Sequence, residues 1–123
     1  MLHDRACPGG GWNAGNGVVY GVALAPHPDA TAAALLALLG EPLSDSITAS
    51  LDWLEHRAQS LLAPWSLAWI ILALQAFKRP IKALLDRLPT IVVNAQICDC
   101  ATLAVVCLAF DCVRERNVFA TEA

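Results

Sequence analysis

The sequence predicts an all-α protein of about five helices, arranged as antiparallel helical hairpins in two layers. Alanine and leucine, which both favour helices, supply 41 of the 123 residues. A block of three apolar residues recurs every 36 positions, at 36–38, 72–74 and 108–110, and a fixed period of this length is typical of helical repeats. Helices that are apolar all round alternate along the chain with amphipathic ones, which indicates the two layers.

Composition and charge exclude two classes of protein. Apolar residues make up 57% of the chain and charged residues only 15%, which is too apolar for a disordered chain. The net charge of −3 argues against nucleic-acid binding, because contacts with phosphates need a basic surface. The length fits a single domain, 1–123.

The cysteines predict a reducing compartment. Five cysteines without paired spacing, and no secretory signal at the start of the chain, predict a cytoplasmic protein, with membrane association as the alternative. The longest apolar run, 60–77, contains Pro64, which leaves about 14 helical residues, or roughly 21 Å against a 30 Å hydrocarbon core. A small helical membrane protein is therefore the weakest of the alternatives.

The first half of the chain is predicted to hold a glycine-rich segment and two helices. The glycine-rich segment, 7–21, leads into helix 1 at about 29–39, which follows Pro28 and stops at Gly40. Helix 2, at about 44–59, is amphipathic. Its apolar residues recur at helical spacing, at Ile47, Leu51, Leu54 and Ala58.

The second half is predicted to hold three helices and a polar tail. Helix 3, about 64–77, and helix 5, about 99–112, are apolar nearly all round. Helix 4, about 80–88, is amphipathic, and Pro89 is expected to end it. The repeat helices thus span 28–112, and a polar tail, 113–123, follows them.

The alternation predicts how the helices pack. Helices 1, 3 and 5 form an inner layer covered on both faces, while helices 2 and 4 form an outer layer with one face in water. An ordinary up-down bundle would make every helix amphipathic.

Two glycine, glutamine and tryptophan patterns carry a resemblance. Gln59 lies six residues before Trp65, and Gly10 lies two residues before Trp12. The spacing resembles the QW motif of prenyltransferase and squalene-hopene cyclase repeats, in which glycine follows glutamine after four residues and tryptophan follows after two more. An alanine replaces one residue of each copy, and the resemblance covers about 7–111. It implies a terpenoid cyclase-like α/α toroid, of which this chain would form a partial ring.

The motif residues have an expected structural task. A glycine beside a tryptophan permits close backbone approach to the ring, and the glutamine can hydrogen-bond exposed backbone at a neighbouring helix end. We therefore interpret Gly10, Trp12, Gln59 and Trp65 as structural residues. The resemblance also implies that Trp12, Trp65 and Trp69 line a lumen for an isoprenoid, while packing in the core is the alternative.

Catalytic groups are not assignable from the sequence. The resemblance implies an Asp-x-Asp-Asp acid motif in cyclases, and the nearest match here, at 98–101, has the single aspartate Asp99. A lone aspartate at a helix start is typical of an N-cap. No spacing specifies the zinc ligands of protein prenyltransferases, and His3, Asp4 and Cys7 do not form a convincing metal set. No metal, cofactor or catalytic residue is predicted, and enzymatic activity stays uncertain.

Two functions follow as expectations. The resemblance implies a repeat domain that handles an isoprenoid or other apolar ligand as a piece of a larger protein, not catalytic by itself. The alternative is a non-catalytic helical-repeat module for protein interaction. Helix 5 is apolar on several faces, so we expect it to need further repeats, a partner chain or self-association. The competing outcome is that the polar tail folds back and caps helix 5.

Overall fold

The computed structural model describes residues 1–120, so the last three residues of the predicted tail lie outside the described part. The all-α class is confirmed. Five helices carry the fold: α1 (Pro28–Ala37), α2 (Asp45–Ala58), α3 (Pro64–Ala76), α4 (Lys82–Ala95) and α5 (Cys100–Asp111). Short 3-10 turns precede and follow them, at His3–Arg5 and Cys112–Arg114. Within residues 1–120 no helix is both long enough and apolar enough to cross a membrane.

The three helices predicted to form the inner layer lie side by side, but only α3 is enclosed as predicted, because α1 and α5 each have exposed positions. α3 lies between α1 and α5, with which it makes its most extensive contacts. In addition, α2 packs against α1 and α3, and α4 packs against α3. α1, α3 and α5 therefore form one row, called the inner row below, and α3 is its most buried member.

The amphipathic α2 behaves as its pattern predicts. Its four stripe residues are all buried, none with more than 2% of its surface exposed. The helix begins after Ser44, whose side-chain oxygen accepts a hydrogen bond from the Ile47 backbone N–H at 3.2 Å. A serine in this position satisfies one of the free donors at a helix start.

The predicted end of helix 4 at Pro89 is wrong. α4 starts at Lys82 and continues through Pro89 to Ala95. A proline removes one helical hydrogen bond and costs about 3 kcal/mol, but the helix beyond it buries Ile91 and half-buries Val92 against the core. Leu84, Leu88 and Ile91 share one face at helical spacing, so packing of this face offsets the cost of the proline.

A β-hairpin in the glycine-rich segment was not predicted. β1 (Val18–Val19) and β2 (Val22–Ala23) pair antiparallel, with Val19 opposite Val22. The turn between them, Tyr20 and Gly21, has positive φ at both residues, 49° and 76°, as tight hairpin turns require. Both strands are exposed, and the hairpin lies outside the two helical layers.

Candidate functional site

The glycine-rich segment is held against α2 by its backbone. Gly10 has a φ of +104°, and a Cβ placed there would lie 2.9 Å from the Ala49 carbonyl carbon. The adjacent Gly11 N–H donates to Ser50 Oγ at 2.7 Å, and this hydroxyl donates to the Ser46 carbonyl at 2.7 Å. The close approach at Gly10 is therefore between two backbones, and not with the tryptophan ring.

Trp12 anchors the same segment to α1. Its side chain is 3% exposed, and its ring N–H donates to the Leu2 carbonyl at 2.8 Å. Its backbone N–H donates to Thr31 Oγ1 at 2.9 Å, and that hydroxyl donates back to the Trp12 carbonyl at 3.1 Å. Every polar group of Trp12 is thus bonded inside the chain, which is the arrangement of a packing residue.

Gln59 and Arg87 share the region where α2 ends. Gln59 directly follows α2, and its side chain is exposed. Arg87 of α4 donates to the carbonyls of Ala58 and Leu61, at 2.9 and 3.0 Å. A cation in this position gives hydrogen bonds to carbonyls that have no partner within the helix, and it interacts favourably with the negative end of the helix dipole. Arg87 therefore performs the bonding that the motif assigns to glutamine, although its sequence pattern indicates an outward side chain.

Trp65 and Trp69 lie one turn apart on one face of α3. Both are half-buried, with ring centroids 5.9 Å apart in an edge-to-face arrangement. Phe119 of the tail lies 5.4 Å from Trp69, between ring centroids. We call Trp65, Trp69 and Phe119 the aromatic cluster. Two of the three lumen candidates are therefore together, while Trp12 lies between the N-terminal segment and α1.

The tail folds back over α3. Asn117 Nδ2 donates to the Leu72 carbonyl at 2.8 Å and to Gln75 Oε1 at 2.7 Å. The same side chain accepts from the Phe119 backbone N–H at 3.0 Å. The tail thus covers the aromatic face of α3, where the lumen was expected. It also bonds the end of α5, where the Arg116 N–H donates to the Asp111 carbonyl at 3.3 Å, but it leaves Leu103, Ala104 and Cys107 of α5 exposed. Sequence reasoning missed Asn117 and Phe119; the isolated aromatic residue in a polar tail was the available signal.

A cleft of about 850 Å³ opens at the end of α3, beside the start of α4 and the tail, and neither Trp65 nor Trp69 lines it. Two of the three cations that line it are paired: Lys82 bonds Asp86 at 2.8 Å, and Arg79 bonds Asp52 at 2.9 Å. Burial raises the pKa of its cysteine, Cys112, to about 11, so this thiol is protonated at neutral pH and is a poor nucleophile.

Asp99 caps α5. Its side chain accepts from the Thr102 backbone N–H at 2.7 Å, as the N-cap interpretation predicts. This hydrogen bond lowers the pKa of Asp99 below its ordinary value. A proton donor needs a raised pKa, so the geometry is the opposite of what acid catalysis requires. Within residues 1–120, no three histidine, cysteine or acidic side chains are grouped to hold a metal.

The inner row exposes apolar surface at its α5 end. The 36-residue period lets equivalent positions on the three helices be compared. Three of these positions are Thr31, Ala32 and Leu35 on α1; Leu67, Ala68 and Ile71 on α3; and Leu103, Ala104 and Cys107 on α5. All six residues on α1 and α3 have 0% exposure. On α5 all three are exposed, Leu103 by 44%. We call these three residues the open face of α5.

The α1 end shows the converse pattern. A second set of equivalent positions comprises Ala33, Ala34 and Ala37 on α1; Trp69, Ile70 and Ala73 on α3; and Val105, Val106 and Ala109 on α5. On α5, which packs against α3, these residues are at most 7% exposed. On α1, Ala33 and Ala37 are exposed, and we call them the open face of α1. The α5 end therefore leaves all three of its compared positions open, and the α1 end leaves two of three open, because Ala34 is only 7% exposed.

Comparison with known proteins leaves these features to be interpreted on their own: no family model, curated protein or solved structure matches the chain.

Proposed function

We propose that the chain is a non-catalytic helical-repeat module of the prenyltransferase and squalene-cyclase type, and that the open face of α5 binds a helix of another protein chain. The observation that carries this is the contrast in burial along the repeat: the same three positions are fully buried on α1 and α3 and exposed on α5.

The chemistry of the open face supports a protein partner. Leu103, Ala104 and Cys107 lie at i, i+1 and i+4 on one side of a regular helix. The three side chains are uncharged and largely apolar, so a helix with small or apolar residues at matching spacing is complementary to them. Contiguous apolar surface of this kind usually marks an interface.

The absence of assignable chemistry agrees with a binding role. Asp99 is held as an ionised cap and Cys112 as a protonated, buried thiol. We place the module in the cytoplasm, a proposal supported by five cysteines that are all unpaired.

Site-specific photo-crosslinking tests the proposal. A photoreactive amino acid is introduced at position 103 of the full chain in its native cells, and the matched control carries it at Leu62, a more exposed leucine (73%) in the loop between α2 and α3. We expect a protein adduct of discrete mass from position 103 and none from position 62. Equal adducts from both positions, or none from position 103, would overturn the proposal.

A second candidate function is binding of an isoprenoid or another apolar ligand, and the aromatic cluster favours it. The edge-to-face pair of Trp65 and Trp69 offers ring faces that suit an unsaturated chain. Because the tail covers this face through Asn117, a ligand must displace the tail. We expect farnesol to quench tryptophan fluorescence saturably, and to bind more tightly to Asn117→Ala than to the native chain. Quenching that does not saturate in either protein would exclude this function.

A further inference from the structure

We infer that the partner of the open face of α5 is the open face of α1 on a second copy of this chain, so that the copies associate head to tail. The inference rests on the proposed function and names its partner. It is based on two exposed faces, the open face of α1 and the open face of α5, which lie at opposite ends of the inner row.

Continuity of the existing interfaces supports a second copy. α1 packs against α3, and α3 packs against α5, through positions related by 36 residues. At the next step along the row, a helix against α5 would cover Leu103, Ala104 and Cys107. At the preceding step, a helix against α1 would cover Ala33 and Ala37. One contact between α5 and the α1 of a second copy supplies both missing neighbours.

The two faces are complementary in shape. The open face of α1 is built from alanines, and it borders a cleft of about 370 Å³ that is also lined by Leu2 and Trp12 of the N-terminal segment. The open face of α5 presents the bulkier Leu103 and Cys107. Larger side chains on one helix seat against small ones on another when two helices pack closely.

The charges at the edges of the two faces are also complementary. Asp111 is exposed at the last position of α5, one turn beyond Cys107. Arg5 is exposed and lines the α1 cleft, and its neighbour His3 bonds Glu41 just after α1 ends. Asp111 therefore lies at the end of α5, and the bond from His3 to Glu41 holds the segment that carries Arg5 near the end of α1. In a parallel, in-register pairing we expect Asp111 of one copy to lie near Arg5 of the next, with the exposed Arg114 and Arg116 at the same edge.

A contact between two different faces has a distinctive consequence. Head-to-tail contacts build rings or open chains, whereas symmetric dimers bury the same face twice. A variant damaged on the open face of α5 keeps an intact open face of α1, and the converse holds for a variant damaged on α1. Neither variant can associate with copies of itself, but one copy of each can pair through the two intact faces.

The test is a complementation experiment by analytical ultracentrifugation. Leu103→Asp damages the open face of α5, and Ala33→Asp damages that of α1; both sites are exposed, and circular dichroism verifies the helical content of each variant. Leu62→Asp is the matched control, with the same change at an exposed leucine outside both faces.

We expect the native chain and Leu62→Asp to sediment at twice the 13.1 kDa chain mass or more. Each single-face variant should sediment as a monomer, and an equimolar mixture of the two variants should recover a species of two chains. A monomeric native chain, a mixture that stays monomeric, or an Ala33→Asp variant that associates like the native chain would overturn the inference. A position-103 adduct with a different protein, together with a monomeric native chain, would overturn this inference while supporting the proposed function.

Discussion

α3 and α5 have similar apolar sequences 36 residues apart, yet their surroundings differ. α3 contacts all four other helices, and the tail bonds it through Asn117. α5 has α3 on one side and water on the other. The burial of an apolar helix therefore depends on which elements pack against it and not on its composition alone. The apolar sequence of α5 is compatible with a place in a core or in an interface.

The largest expected effect separates Leu67 from Leu103, two leucines at equivalent positions. Leu67→Ala removes a side chain with 0% exposure, while Leu103→Ala trims one that is 44% exposed. We expect the first change to lower the free energy of unfolding by about 3 kcal/mol and the second by less than about 1 kcal/mol. Urea denaturation at concentrations where the chain is monomeric measures both. Similar losses would mean that α5 is as enclosed as α3.

The second prediction compares the reactivity of two thiols, Cys107 on α5 and Cys112 in the turn that follows α5. Cys107 is exposed, whereas Cys112 is buried with a pKa of about 11. At pH 8 very little of Cys112 is therefore thiolate, the form that reacts with maleimide. At concentrations where the chain is monomeric, we therefore expect maleimide to label the exposed Cys107 much faster than Cys112, as measured by peptide mass spectrometry over time. Comparable rates would show that the turn after α5 opens.

The third prediction concerns the tail that covers α3. Asn117→Ala removes both hydrogen bonds to α3, and we expect a loss of about 1–2 kcal/mol in the free energy of unfolding. Tryptophan emission should shift to the red, because Trp69 loses contact with Phe119. The control is Asn94→Ala at an exposed site on α4, where alanine should be neutral or slightly stabilising. A red shift without any loss of stability would contradict the anchoring role of Asn117.

Local signals in the sequence predict much of the helical framework. Ser44 and Pro64 mark the starts of α2 and α3 within one residue, because capping and the fixed φ of proline act on the nearest turn. Pro89 misleads because its effect depends on whether the following turn can bury Ile91. That is a tertiary contact, which no local signal contains.

The site residues divide in the same way. The sequence indicates Trp65 and Trp69 as neighbours, since residues four apart share a helix face. Asn117 reaches back 45 residues to Leu72, and Arg87 reaches back 29 residues to Ala58. Their partners are backbone carbonyls, which every residue has, so the sequence around them carries no matching signal.

The smallest expected effect concerns the N-terminal caps of α3 and α5. α5 starts with the Asp99 cap, whereas α3 starts after Ala63 with no side-chain cap. α3 is held by packing along its whole length, so it tolerates an uncapped start, while α5, open on one face, depends more on its cap. We expect Asp99→Ala to destabilise the chain less than Asn117→Ala does. We expect Asp99→Asn to retain most of the capping, because asparagine accepts the same hydrogen bond.

The Thr102 N–H lowers the pKa of Asp99 in the folded chain. The stabilisation from the Asp99 charge is therefore present above the unfolded pKa of about 3.9 and fades as the pH falls through the lower folded value. The stability difference between the native chain and Asp99→Asn should therefore shrink below about pH 4, as followed by thermal unfolding at several pH values.

The reverse change, Ala63→Asp, adds a cap to α3, whose preceding backbone is already extended (φ −85°, ψ 116°). We expect it to raise the free energy of unfolding by up to about 1 kcal/mol. If Asp99→Ala costs nothing while Ala63→Asp stabilises, then α5 does not rely on its cap, and its exposed face is supported by packing against α3 alone.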